Sequence, residues 1–194
     1  MRELLRLNAV WNTDDLLREV YQRFSDWLTP DRALVATCIS SYGQDNPPQQ
    51  VRLRVEDAEA SRRAEVAEIE SLLLMLGAQL GFETEINTVP DHTSRVEWRQ
   101  IDMPTWSFTV SVTAEIAPLL RDAEGVLVIP GGRATLLQHK LARDPRLHQT
   151  AWQILKFSAL RRFAADAHVS LETFRLAFGL KPPLEQPATQ FRLL

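Results

Sequence analysis

The chain has 194 residues, a net charge of −3, 45% hydrophobic and 24% charged residues. That length suits one domain with a modest appendage, and the balance excludes wholesale disorder and argues against a strongly nucleic-acid-binding surface overall. The longest purely apolar run, Leu72 to Leu76, is far too short to span a bilayer. The charged segment Met1 to Asn8 has no apolar stretch followed by a cleavage site, so neither a membrane span nor a signal peptide is expected. Cys38 is the single cysteine, which leaves no internal disulfide and no Cys-x-x-Cys zinc set; a reduced cytoplasm is the natural compartment.

In chain order, residues 12–28 predict a helix. Asn12 or Thr13 can cap it, Asp14 and Asp15 suit its positive end, and Leu16, Leu17, Val20, Phe24 and Trp27 recur at helical spacing. The apolar, β-branched run Arg32 to Ser40 reads as a strand, Gly43 to Gln50 as a loop, and the alternating Val51 to Val55 as a strand forming a hairpin with the first. Residues 58–81 give the clearest helix, with Val66, Ile69, Leu72, Leu73, Leu76 and Leu80 in one stripe and Gly81 at its C-terminus. Phe82 to Val89, Arg95 to Arg99 and Trp106 to Thr113 follow as extended segments, with a turn at Asp102 to Pro104. The last of them should point Trp106, Phe108, Val110 and Val112 inward and Ser107, Thr109, Ser111 and Thr113 outward. Trp98 and Trp106 should stack across the hairpin.

Ala114 to Asp122 reads as a short helix, and Gly125 to Pro130 as a strand buried on both faces. Helices are expected over Ala134 to Ala142, over 149–166, and over Leu171 to Phe178 with Ser170 as cap. The Pro-punctuated tail from Lys181 to Leu194 reads as surface. The reading divides the chain into an N-terminal helix and hairpin (1–57), a core (58–148) and C-terminal helices with the tail (149–194). The fold class is α/β (α+β), a mixed central sheet flanked by helices.

Three local words stand out. The first is Glu68-Ile69-x-x-Leu72-Leu73-x-x-Leu76-Gly77-x-x-Leu80-Gly81-Phe82. The second joins Val96-x-Trp98, after a turn, to Ser107-Phe108-Thr109-Val110-Ser111 with Thr113 and Ile116. The third is Val126 to Pro130 followed by Arg133. Together, over roughly residues 60–147, they resemble the PD-(D/E)XK, restriction-endonuclease-like nucleases. The resemblance implies that core and a Mg²⁺-dependent DNA nuclease ancestry. In that family an Asp on the second core strand and a Glu on the third bind the metal, and a Lys or Glu two residues on positions the attacking water. Mg²⁺ polarises the phosphate and wants carboxylate oxygens.

In the matching register this chain carries Ser94 or Arg95, Thr109 and Ser111, with no carboxylate and no lysine. The three lysines, Lys140, Lys156 and Lys181, all fall outside that strand. Glu68 is retained on the helix, where some family members use it to complete the site. The resemblance therefore implies a catalytically inactive nuclease-like binding or scaffolding protein with no cofactor and no metal site, its partner DNA or a protein.

The alternative is an active nuclease with displaced ligands, in which Mg²⁺ would be held by Glu68 with Glu97, Asp102 or Glu115. A further alternative is a homo-oligomeric structural protein, with a homodimer as the simplest form and no nucleic-acid role. Each of these acids also has an ordinary reading as a solvated or capping residue. The stretch Arg133 to Arg162 holds seven basic residues against one acid, Asp144, so Arg133, Lys140, Arg143 and Arg146 are the candidate DNA contacts. The four histidines share no metal-like spacing, and Gly131-Gly132-Arg133 lacks the lysine of a nucleotide fingerprint.

Overall fold

The computed structural model describes residues 1–25, 29–46, 49–89, 93–116, 124–143 and 151–179. The N-terminal part opens with α1 (Arg2–Leu7), β1 (Trp11–Asn12) and α2 (Thr13–Arg23). Asn12 caps α2 by accepting the Asp14 N–H, which satisfies one of the donors a helix start leaves free.

The run expected as a strand over Arg32 to Ser40 is instead α3 (Arg32–Tyr42), started by the Asp31 side chain, which accepts from Ala33 N–H at 2.7 Å. The reason lies in its two partners. Leu34, Cys38 and Tyr42 recur every four residues and pack toward the main domain, while Val35 and Ile39 pack on the N-terminal core. A helix with two apolar stripes looks uniformly apolar in sequence and hides its period.

Part of the expected loop is β2 (Gly43–Asn46), and the hairpin is made by β2 with β3 (Gln50–Leu53); β1 pairs on the other side of β3. Gly43 sits where a Cβ would meet Ile39 O at 2.7 Å and Val51 Cγ2 at 2.5 Å, so the chain leaves α3 and enters the strand without room for a side chain.

After a short 3₁₀ turn (Val55–Asp57), α4 (Glu59–Gln79) ends at Gly81, whose φ of 87° is the left-handed conformation glycine adopts freely. The main sheet is β4 (Glu83–Val89), β5 (Thr93–Arg99), β6 (Trp106–Val110), β7 (Glu124–Ile129) and β8 (Ala151–Lys156), in that spatial order. The first three strands form an antiparallel meander. β7 runs parallel to β6, and β8 parallel to β7. A second 3₁₀ turn (Gly131–Arg133) and α5 (Ala134–Arg143) follow β7.

The helix expected over 149–166 is a strand and a helix, β8 followed by α6 (Phe157–Ala164). Ile154 and Leu155 are adjacent and both buried, Ile154 in the cluster with Leu127 and Leu137, Leu155 in the cluster with Val126 and Phe157. Neighbouring residues buried on opposite faces are the mark of a covered strand. The last helix is α7 (Leu171–Arg175), with Ser170 and Thr173 forming a reciprocal cap. Of the helix expected over Ala114 to Asp122, Ala114, Glu115 and Ile116 are not helical, and 117–122 lies outside the described residues.

The sheet has two unlike faces. One carries Val96, Trp98, Phe108, Val110, Val126, Val128 and Leu155, and packs under α4, α6 and α7. Trp98 is its centre: it is fully buried, lies 4.5 Å from Phe108, 5.3 Å from Phe174 and 6.3 Å from Trp106, and its indole N–H donates to Leu73 O at 3.0 Å. Gly77 lets α4 approach this close, since a Cβ there would meet Trp98 Nε1 at 2.6 Å. The other face carries Leu127, Ile129 and Ile154 under α3 and α5. Thr109 and Ser111, expected to point outward from the core of Trp98 and Phe108, are on that side and are nonetheless buried, at 4% and 7% exposure.

Candidate functional site

The nuclease-like reading places chemistry where β5 and β6 run side by side. In the observed register Arg95 lies directly opposite Thr109, and Ser94 opposite Val110. Ser111 follows at the end of β6; its hydroxyl is 3.1 Å from Thr113 Oγ1 and accepts the Thr113 N–H at 3.2 Å, a local turn that leaves it tied to its own backbone. The Thr109 hydroxyl is buried without a hydrogen-bond partner among the described residues. An arginine at this position offers a divalent cation repulsion, and a threonine one weak neutral ligand, the reverse of the carboxylate pair it favours.

The four carboxylates considered as displaced ligands do not converge. Glu68 leaves α4 toward α6, where Arg161 grips it with two parallel bonds of 2.8 Å. That contact holds the Glu68 carboxyl below its usual range. Glu97 is on β5 between Val96 and Trp98, hence on the opposite side of the sheet from the core they enter, as its position in the strand anticipates. It pairs closely with Arg99, which also reaches Glu85 at 2.9 Å. Asp102 is exposed in the β5–β6 turn with φ 63°, and Glu115 is exposed beyond β6.

Because the Glu68 group titrates below its unfolded value, the contact stabilises fully above the unfolded carboxylate range and is lost as pH falls through the folded pKa. With side-chain exposures of 48% and 39%, the pair is worth less than about 1 kcal/mol. Glu68→Gln should therefore lower stability slightly at neutral pH and not at strongly acid pH, as urea midpoints at the two pH values will show.

Two of the four basic candidates, Arg133 and Lys140, are bonded to backbone carbonyls within the chain. Arg133 is a correction to the surface reading: it is fully buried. It contacts Asp57 Oδ1 and Ser41 O, donates to Val112 O at 3.1 Å, and stacks 3.7 Å over the Tyr42 ring. Burial lowers its proton affinity, and Asp57 opposes that. Lys140 donates to Ala114 O at 2.7 Å, and Arg143 pairs with Asp31 at the surface. Arg146 lies outside the described residues.

Sequence reasoning missed Asp57, Arg62 and Arg161, which with Arg133, Glu65 and Glu68 make one line of alternating charge. Asp57 Oδ1 accepts from Arg133 and, at 2.8 Å, from Arg62 Nε. Arg62 contacts Glu65, and Glu65 accepts from Arg161 at 3.0 Å, the same guanidinium that holds Glu68. The line runs from the interior between the two sheets to the outer side of α4 and α6. Asp57 is the only acid fully inside it among the described residues, and its Oδ2 has no hydrogen-bond partner there. The one available sequence signal was Glu65 and Glu68, three residues apart on one helix face, a spacing that fits a single guanidinium.

An open groove of about 660 Å³ lies at the end of the main sheet where β6, β7 and β8 begin. Arg95, Glu97, Ser107, Gln153 and Phe178 line it, with Arg175, whose guanidinium sits 5.2 Å over the Trp106 ring. Its polar groups are of mixed sign, so it presents neither a basic track for a phosphate backbone nor a cage of oxygens. No family model, curated protein or solved structure matches the chain.

Proposed function

We propose that this chain is a nuclease-like domain that does not cleave and that acts by binding, as a scaffolding or recognition module. The observation that carries the reading is the Arg95–Thr109 pair at the β5–β6 position where the resemblance calls for metal-binding carboxylates. Part of the element order supports it as well: helix α4, the three strands β4 to β6, then the buried strand β7 and helix α5 follow the order the resemblance implies, while the helix it places between β6 and β7 is not seen among the described residues. Glu68 supports it too, since a carboxylate already gripped by Arg161 would have to give up that partner to ligate a metal.

DNA is the second reading, favoured by Arg143, whose side chain is 52% exposed and whose pairing with Asp31 is a surface contact that a phosphate could replace. With Arg133 interior, that reading rests on Arg143, with Lys140 three residues before it on α5.

The test incubates single- and double-stranded DNA with the purified protein and Mg²⁺ or Mn²⁺, beside Glu68→Gln, and titrates DNA binding against salt. The expected result is no cleavage by either protein. Cleavage by the wild type that disappears in Glu68→Gln would overturn the proposal in favour of a displaced active site. Binding that weakens steeply with salt would identify DNA as the partner; absence of binding at low salt would point to a protein.

A further inference from the structure

The two edges of the main sheet are treated differently. At β8, the Gly179 N–H donates to Ile154 O at 2.7 Å, so the chain following α7 closes over that edge. At the opposite edge is β4, seven residues from Glu83 to Val89, and among the described residues no backbone hydrogen bond reaches its outer side. A strand of this length presents a row of main-chain donors and acceptors, a template for one more strand. Ile86, at its middle, is 39% exposed.

The sequence of β4 selects its partner by charge. Antiparallel pairing of β4 with a second β4 about Ile86 uses all seven residues. It sets Glu83 opposite Val89, Thr84 opposite Thr88, Glu85 opposite Asn87 and Ile86 opposite its own copy. Moving the centre to Glu85 sets Glu85 against Glu85, and moving it to Thr84 sets Glu83 against Glu85. Like charges directly opposite on neighbouring strands are destabilising. Moving it to Asn87 shortens the paired segment to Glu85 through Val89. The Ile86-centred register is thus the longest, it avoids every glutamate pair, and it covers the exposed isoleucine. We propose that two copies of this chain associate through β4, antiparallel and centred on Ile86, to form one continuous ten-stranded sheet from two five-stranded ones.

The inference is independent of the nuclease-like reading, and its test does not involve DNA. Sedimentation of the wild type over a wide concentration range should give a dimer. Ile86→Lys, which brings two ammonium groups face to face at the two-fold, should weaken dimerisation by at least about tenfold, with an unchanged circular-dichroism spectrum. In a Cys38→Ser background, Ile86→Cys should cross-link to itself under mild oxidation, because directly opposed residues lie within disulfide reach. Glu85→Cys should cross-link only when mixed with Asn87→Cys. A wild type that is monomeric at every concentration overturns the proposal. So does a dimer that tolerates Ile86→Lys and forms no Ile86→Cys cross-link. Self-cross-linking of Glu85→Cys as efficient as that of Ile86→Cys overturns the register.

Discussion

Trp98→Ala should lower the unfolding free energy by about 3–5 kcal/mol, the range for removing a large aromatic from a packed core. The upper end is expected here for three reasons. Trp98 is fully buried, and it touches Phe82, Trp106, Phe108 and Phe174, so it joins the meander to α7. Its indole N–H also satisfies Leu73 O, on α4. Collapse into the space is opposed by Gly77, which brings only backbone to that side of the ring. Urea denaturation checks it. A loss under about 1 kcal/mol would mean that the site can repack, since the cost of such a deletion depends on how far the walls collapse. Trp98→Phe should cost less, because the ring contacts survive and only the indole donor and part of the volume are lost.

The second large effect is at the joint between the two sheets. Arg133→Met should cost about 3 kcal/mol, the lower end of the range for removing one partner of a buried ion pair. The lower end applies because Asp57 keeps Arg62 at 2.8 Å and so is not left wholly uncompensated. The variant also abandons Ser41 O and Val112 O, which Arg133 satisfies in the wild type. The informative comparison is the double variant Asp57→Leu/Arg133→Met. Replacing both charged groups with apolar ones removes the unpaired charge, so it should recover part of the loss. Equal losses in single and double variants would show that the backbone contacts of Arg133, and not its charge pairing, hold the joint.

What the sequence made legible, and what it did not, follows from how many partners each element has. α4 and the meander read correctly because each shows one apolar face to one neighbour, which leaves a clean period of 3.6 or of two. α3 and β8 did not. α3 packs on two cores at once, so Leu34, Val35, Cys38, Ile39 and Tyr42 together look like an unbroken apolar run. β8 is buried on both faces, and its Trp152 and Leu155 fall, with Leu160 of α6, at spacings that a single helix also gives.

The candidate site was legible in its residue types and not in its pairings. That positions 95, 109 and 111 carry no carboxylate is plain from the sequence alone, and the stacking of Trp98 on Trp106 followed from strand register. That Arg133 turns inward could not. Its partners Ser41 and Asp57 are 92 and 76 residues away, and nothing local distinguishes a buried arginine from one on a surface.

Those separations bear on the order in which the molecule assembles. The stretch from α4 through β6 closes mainly contacts between neighbours in sequence, which cost little chain entropy and form early. The Asp57–Arg133 joint closes across 76 residues, a separation costly in chain entropy, so it is expected on the late side of the folding barrier, which the folding and unfolding rates of Arg133→Met against the wild type will check. A contact absent from the transition state acts on escape from the native state and not on entry into it. The joint is therefore a latch on lifetime: weakening it should shorten the survival of the folded chain while leaving its rate of formation nearly untouched.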